Sequence, residues 1–160
     1  APDVAPEIRC ITADISCIDT ITRYLPGPPV RLLVILEGIT YFMDDGWALS
    51  VIERLSKSRA GYIIEYLLPE ELIHPDRSLI ADHVFSTVRQ ACSCPPPARY
   101  SPRSLEEAAG RCGYFDVTTM TVREMERLRT GGNRYFPHDS DGWIAITQIQ
   151  DTRHDRKPNW

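Results

Sequence analysis

The chain has 160 residues and a formal net charge of −4, with its 18 Lys and Arg spread along its length. A single domain of about that size buries roughly 70% of the surface of its unfolded chain. Scattered basic residues on an acidic chain leave no electrostatic footprint for nucleic acid or an anionic membrane surface, so neither is expected as a partner. No apolar run nears the roughly 20 residues that cross a bilayer, and the first ten residues, APDVAPEIRC, lack the basic and apolar regions of a signal peptide.

Five cysteines, an odd number, favour reduced thiols over a disulfide framework. These features together point to a soluble, cytoplasmic protein. Cys92 and Cys94 are the only close pair, and with no second Cys or His pair at ligand spacing no metal site is expected.

In chain order, Glu7 to Asp14 alternates Ile8, Cys10 and Ile11 with polar residues and predicts a strand ending in a site-facing turn at Asp14-Ile15-Ser16. Ile18, Ile21 and Leu25 then have helical spacing, and Pro26-Gly27-Pro28-Pro29 closes that short helix. Leu32 to Leu36 is an uninterrupted aliphatic run that stops at Glu37-Gly38. Such a run suits a strand covered on both faces, the central strand of an α/β sheet. Ligands of open α/β sheets bind beyond the carboxyl ends of the strands, which makes Glu37 and Gly38 candidate site residues.

A helix opened by Asp44 or Asp45 follows, with Ala48, Val51, Ile52 and Leu55 as its buried stripe and Glu53, Arg54 and Lys57 facing water. Tyr62 to Leu68 carries only one charge, Glu65, and predicts a second strand, parallel to the first in a βαβ unit. Pro75 to Ala91 predicts a helix with Ile80, Val84, Val88 and Ala91 on one face and His83 beside them. The proline-rich loop CSCPPPARY completes a long excursion beyond the strand ends. Such excursions commonly carry substrate contacts, so His74, His83, Arg99 and Tyr100 are candidates, against the alternative that the histidines are structural.

Ser101 as N-cap and Pro102 at the first helical position open another helix, with Leu105, Ala108, Ala109 and Cys112 as its stripe and Gly113 as its left-handed terminator. Phe115 to Arg123 is β-prone. A polar connection holding Gly131, Gly132 and Asn133 leads to a last strand from Gly142 to Ile149, expected to pair antiparallel with it. DTRHDRKPNW, residues 151–160, reads as a polar tail.

Three stretches carry a resemblance. Leu36-Glu37-Gly38-Ile39-Thr40-Tyr41-Phe42 looks like L-E-G-x-x-x-Y-[FL] with one position fewer before the tyrosine. Tyr100-Ser101-Pro102 through Gly113-Tyr114 looks like a helix with a "tyrosine, serine or threonine, proline" start and a "glycine, aromatic" end, and Asp14-Ile15 follows an early strand. With this order of elements, residues 7 to 150 resemble the C-terminal two-thirds of a class I S-adenosylmethionine-dependent methyltransferase, closest to the leucine carboxyl methyltransferase and polyketide O-methyltransferase group.

The resemblance implies an α/β, incomplete Rossmann-like methyltransferase sheet over residues 1–150, mostly parallel with a final antiparallel pair. The family's strand order is 3-2-1-4-5-7-6. Its first two strands and glycine-rich loop have no counterpart here, since no two glycines fall as G-x-G. They are expected from a second polypeptide, either a separate subunit or the N-terminal piece of one enzyme cut in two. Without them the most apolar strand would be an unpaired edge.

By the same resemblance, S-adenosylmethionine is the cofactor. Asp14 and Ile15 would meet its adenine, Leu36, Glu37 and Gly38 would line its methionine and sulfonium side, and Tyr41 would lie near a small-molecule oxygen acceptor, carboxyl or hydroxyl. No residue is singled out as a catalytic base. A competing expectation is a non-methylating relative that shapes a pocket or stabilises a partner, for instance in a biosynthetic cyclisation. A nucleotide-binding or dehydrogenase fragment fits the final antiparallel pair less well.

Overall fold

The computed structural model describes residues 10–25, 31–92 and 95–151. Its elements are α1 (Ile18–Thr22), β1 (Leu33–Leu36), α2 (Trp47–Leu55), β2 (Gly61–Leu67), α3 (Pro75–Cys92), α4 (Pro102–Arg111), β3 (Asp116–Thr121), α5 (Val122–Thr130) and β4 (Ile144–Gln150). The four strands form one mixed sheet in the order β1-β2-β4-β3. β1 and β2 pair in parallel, with Leu33 opposite Gly61 and Leu36 opposite Ile64. β4 lies antiparallel to both β2 and β3. The fold is therefore α/β, and the final antiparallel pair, β3 with β4, stands as expected; three of the four described strands run the same way, but β4, inserted between two of them, leaves only one parallel pair.

Period-2 alternation divides the sheet into two unlike faces. Tyr62, Ile64, Tyr66, Ala145, Thr147 and Ile149 are all buried on one face. There they join the predicted stripe of α2, Ala48, Val51, Ile52 and Leu55, and that of α4, Leu105, Ala108 and Ala109, in one core. Inside it, Tyr66 Oη and Thr119 Oγ1 each bond to the buried Thr147 Oγ1, at 2.9 and 2.7 Å. A smaller cluster of Leu67, Ala81 and Phe85, with Tyr41 and Trp143 against it, covers only part of the opposite face.

β1 corrects a central expectation. It is an edge strand, and Leu33 and Ile35 are each 57% exposed, whereas Val34 and Leu36 pack on the core. Among the described residues nothing pairs with its outer side. Cys10–Ala13 are not a strand either; residues 7–9 lie outside the described region. Alternation alone does not make a strand where no neighbour completes the ladder.

The remaining helix expectations hold in kind and differ in detail. α2 starts on Gly46, without a side-chain cap, so neither Asp44 nor Asp45 caps it. Asp44 contributes its carbonyl, which accepts the Trp47 N–H at 3.0 Å. α4 has the expected Ser101 cap on the Ser104 N–H and Pro at its start. Gly113 takes φ +81°, the left-handed conformation that a side chain would penalise.

α3 buries Ala81 and Phe85, not the stripe expected of it: Ile80 is 43% and Val84 44% exposed. The aromatic ring of Phe85 meets Tyr41 and Phe42 and fixes the helix's rotation. Part of the expected polar connection is α5, closed at its start by a reciprocal Thr121–Glu124 capping box. The expected tail, beyond Asp151, and Pro26–Pro29 lie outside the described residues.

Candidate functional site

The aliphatic run of β1 ends where Gly38 turns the chain at φ +69°. The turn is tied to the end of β2 through Glu65. The Gly38 N–H donates to Glu65 Oε1 at 3.2 Å, and the Tyr41 hydroxyl donates to the same oxygen at 3.3 Å. The fully buried Thr40 donates its hydroxyl to the Glu65 carbonyl at 2.7 Å. Glu65 itself is half-buried, on the sparsely covered face of the sheet between the buried Ile64 and Tyr66.

Tyr41 joins this polar cluster to an aromatic one. Its ring meets Phe42 edge-on at 4.8 Å between centroids and Phe85 at 5.1 Å. Phe42 remains 37% exposed. Partial burial first, then the Glu65 carboxylate and more weakly Glu37, push the Tyr41 phenol above its ordinary pKa of 10.0. The local field is thus negative. Glu37 is exposed and makes no hydrogen bond or ion pair with a described residue.

The expected adenine contacts lie in a separate turn. Asp14 Oδ1 accepts from the Ser16 hydroxyl at 2.7 Å and the Ser16 N–H at 2.9 Å. The hydroxyl bond first, then the backbone bond, hold its carboxyl below the ordinary 3.8. The Ile15 carbonyl accepts from the Trp47 indole N–H at 3.1 Å, which anchors the turn to the first residue of α2.

Of the expected substrate contacts, Tyr41 alone joins the Glu65 cluster through its side chain. Tyr100 is 2% exposed, and its hydroxyl accepts the Ala48 N–H at 3.3 Å. It caps α2, taking one of the N–H groups that have no partner within a helix's first turn. Arg99 donates to the Leu68 carbonyl at 2.9 Å and pairs with Asp82 at 3.2 Å and Glu70 at 3.4 Å, clamping the loop before α4 to the excursion. His74 stands at the start of α3, where its Nδ1 accepts the Asp76 N–H at 3.3 Å. His83 is exposed on the same helix. Leu36 packs on the core at the end of β1.

Glu65 and Thr40 were not anticipated as site residues, although a single carboxylate inside an otherwise apolar strand is itself a sequence signal. A different groove, of about 480 Å³, is lined by Glu126, Thr130, Gly132, Asn133, Arg134 and Tyr135 and includes none of the expected site residues.

Among the described residues no group of three or more His, Cys, Asp or Glu is placed to hold a metal ion, and no helix is long and apolar enough to cross a membrane. Cys92 is exposed, and Cys94 lies outside the described residues. No protein-family model matches the chain, and no curated protein matches it.

Proposed function

We propose that this chain is the C-terminal part of an S-adenosylmethionine-dependent methyltransferase acting on the oxygen of a small molecule, with its cofactor site completed by a second polypeptide. The observation that carries the reading is the sheet order β1-β2-β4-β3, with β4 alone running against the others. Those are the last four places of 3-2-1-4-5-7-6, and the next strand in that order would pair with the free edge of β1. The exposed Leu33 and Ile35 on that strand support the same reading, since a long-lived apolar edge is a liability unless something covers it.

The residues present fit part of such a cofactor. Glu37 and Glu65 offer negative charge beside a sulfonium, and the backbone at Gly38 is open: a Cβ there would meet nothing nearer than the Tyr41 hydroxyl at 3.8 Å. The turn at Asp14 and Ile15 would hold the adenine side. The glycine-rich loop would come from the partner, together with the first two strands. The bound cofactor would supply an electrophilic methyl group. This chain's contribution is orientation, which accounts for much of the rate of an in-line displacement. Glu65, by holding both the Gly38 amide and the Tyr41 phenol, sets the geometry of that turn.

Native mass spectrometry of the protein as isolated from its source tests the proposal. A complex with a polypeptide containing a strand followed by a glycine-rich loop, which binds S-adenosylmethionine when titrated and releases labelled methyl to an acceptor, is the expected result. A complex that binds the cofactor but never transfers methyl would favour the non-methylating, pocket-shaping alternative. A stable monomer, cooperative in unfolding and able to bind the cofactor alone, would overturn the partner.

A further inference from the structure

The acceptor side of the Glu65 cluster combines a carboxylate, a phenol and an aromatic surface at the end of one strand pair. Glu65 Oε1 is occupied by the Gly38 N–H and the Tyr41 hydroxyl, whereas Oε2 bonds to no described residue. Phe42 presents part of its ring to solvent beside Tyr41 and Phe85. A second carboxylate, Glu37, stands on the same turn. The nearest loop contributes the Ala98 N–H, which donates to the Tyr41 carbonyl at 3.2 Å, and the following Arg99 is already committed to Asp82, Glu70 and the Leu68 carbonyl. The charges that bear on the Tyr41 phenol are those of the two carboxylates, Glu65 and Glu37.

We propose that the acceptor bound here is an uncharged aromatic alcohol or phenol, and not a carboxylate, with Glu65 Oε2 receiving the hydroxyl proton. The ring would lie against Phe42 and Tyr41, whose own edge-to-face arrangement is one of the two that aromatic pairs favour. An anionic acceptor would enter between two carboxylates and be repelled. A neutral hydroxyl needs a base to leave an oxygen nucleophile, and a carboxylate within hydrogen-bond reach can serve. The transfer balances: the acceptor O–H bond breaks with its proton going to Glu65, an O–C bond forms to the methyl, and the C–S bond breaks with its electron pair going to sulfur. The transfer step rests on the methyltransferase reading; the choice of acceptor rests on this cluster alone.

The test uses 2-naphthol and 2-naphthoate as probes, titrated calorimetrically at neutral pH into the full chain with whatever partner it retains. Naphthol should bind at least about tenfold more tightly than naphthoate. Glu65→Gln, which keeps an oxygen for Gly38 and Tyr41 but removes the charge, should bring the two within about threefold. Glu37→Gln leaves the Gly38 and Tyr41 bonds untouched and should narrow the difference by a smaller factor, which keeps the test valid if the Glu65 variant folds poorly. Equal or tighter binding of naphthoate, binding of neither probe, or full discrimination in both variants would overturn the proposal. Discrimination without labelled methyl appearing on naphthol would support this subsite and count against the methyltransferase reading.

Discussion

The substitution Tyr100→Phe separates a structural role from a substrate contact by removing one oxygen. α2 begins on Gly46, which has no side chain to cap it, and the Ala48 N–H is one of the first-turn donors without an intrahelical acceptor. Ala48 is completely buried, so water does not reach it from the surface, and the Tyr100 hydroxyl at 3.3 Å is its acceptor. The substituted phenylalanine would keep the ring and its edge-on contact with Tyr66, which Tyr100 makes at 6.5 Å and 85°. The change therefore reports the polar contact and not the packing.

A buried donor left without an acceptor costs about 1–3 kcal/mol. The bond is longer than the ~2.9–3.0 Å optimum, which points to the lower part of that range, about 1–2 kcal/mol. In urea unfolding the midpoint should fall by that amount of stability while the slope stays unchanged. Binding of the naphthol probe should be unaltered, because the hydroxyl faces α2 and not the Glu65 cluster. Unchanged stability, or lost probe binding in a variant of normal stability, would refute the assignment of Tyr100 to the cap.

Ile52→Ala should cost about 2–5 kcal/mol in the same assay, as truncation of a fully buried side chain in a packed core does; a loss below this range would mean that the core between α2 and the sheet relaxes around the cavity. Replacing Leu33 and Ile35 together by Lys should change the chain's own stability by only about 0.5 kcal/mol or less per site, since both are more than half exposed. The same pair should abolish the partner complex in native mass spectrometry, and a complex that survives would exclude the Leu33–Ile35 face of β1 as part of the interface. Glu126 gives a pH prediction. Desolvation raises its pKa, but the N–H groups of Tyr135, Phe136 and Arg134, with Asn133, together hold it below the ordinary 4.5. A depressed folded-state pKa contributes stability above the unfolded value and loses it as pH falls through the folded one. The amide resonances of residues 134–136 should accordingly shift below about pH 4.5, with the loop loosening there, and should lose that titration in Glu126→Gln.

What could be read from the residues was whatever local physics decides. The stripe of α2 and the Ser-Pro start and Gly113 end of α4 depend on neighbours three or four positions away, and each stands as the spacing indicates. Non-local partners were not legible. The exposure of Leu33 and Ile35 depends on what lies beside β1, and an apolar run reads alike at the centre or the edge of a sheet. The rotation of α3 is set by one ring, Phe85, meeting Tyr41 and Phe42, although Ile80, Val84 and Val88 make the more regular stripe. α5 was hidden by its polarity: none of its residues is buried, so no apolar period announces it, and its signal is the Thr121-x-x-Glu124 box. Glu65 was visible as a lone charge but not as the residue that ties Gly38 and Tyr41 together, because that tie spans 27 and 24 positions of sequence.

The uncovered face links the two proposals physically. Leu33, Ile35, Ile63 and Glu65 follow one another across β1 and β2 on the same side of the sheet, by the pairing of Leu33 with Gly61 and Ile35 with Ile63. A partner packed on Leu33 and Ile35 would therefore take water from beside Glu65 as well. Charge–charge interactions strengthen as water is removed, and so does the cost of burying a carboxylate without a counter-ion. Preference for naphthol over naphthoate should then be several-fold greater in the complex than in the free chain. Equal preference in both would mean that the partner covers β1 without reaching the acceptor site, and that the edge of the sheet and the Glu65 cluster act independently.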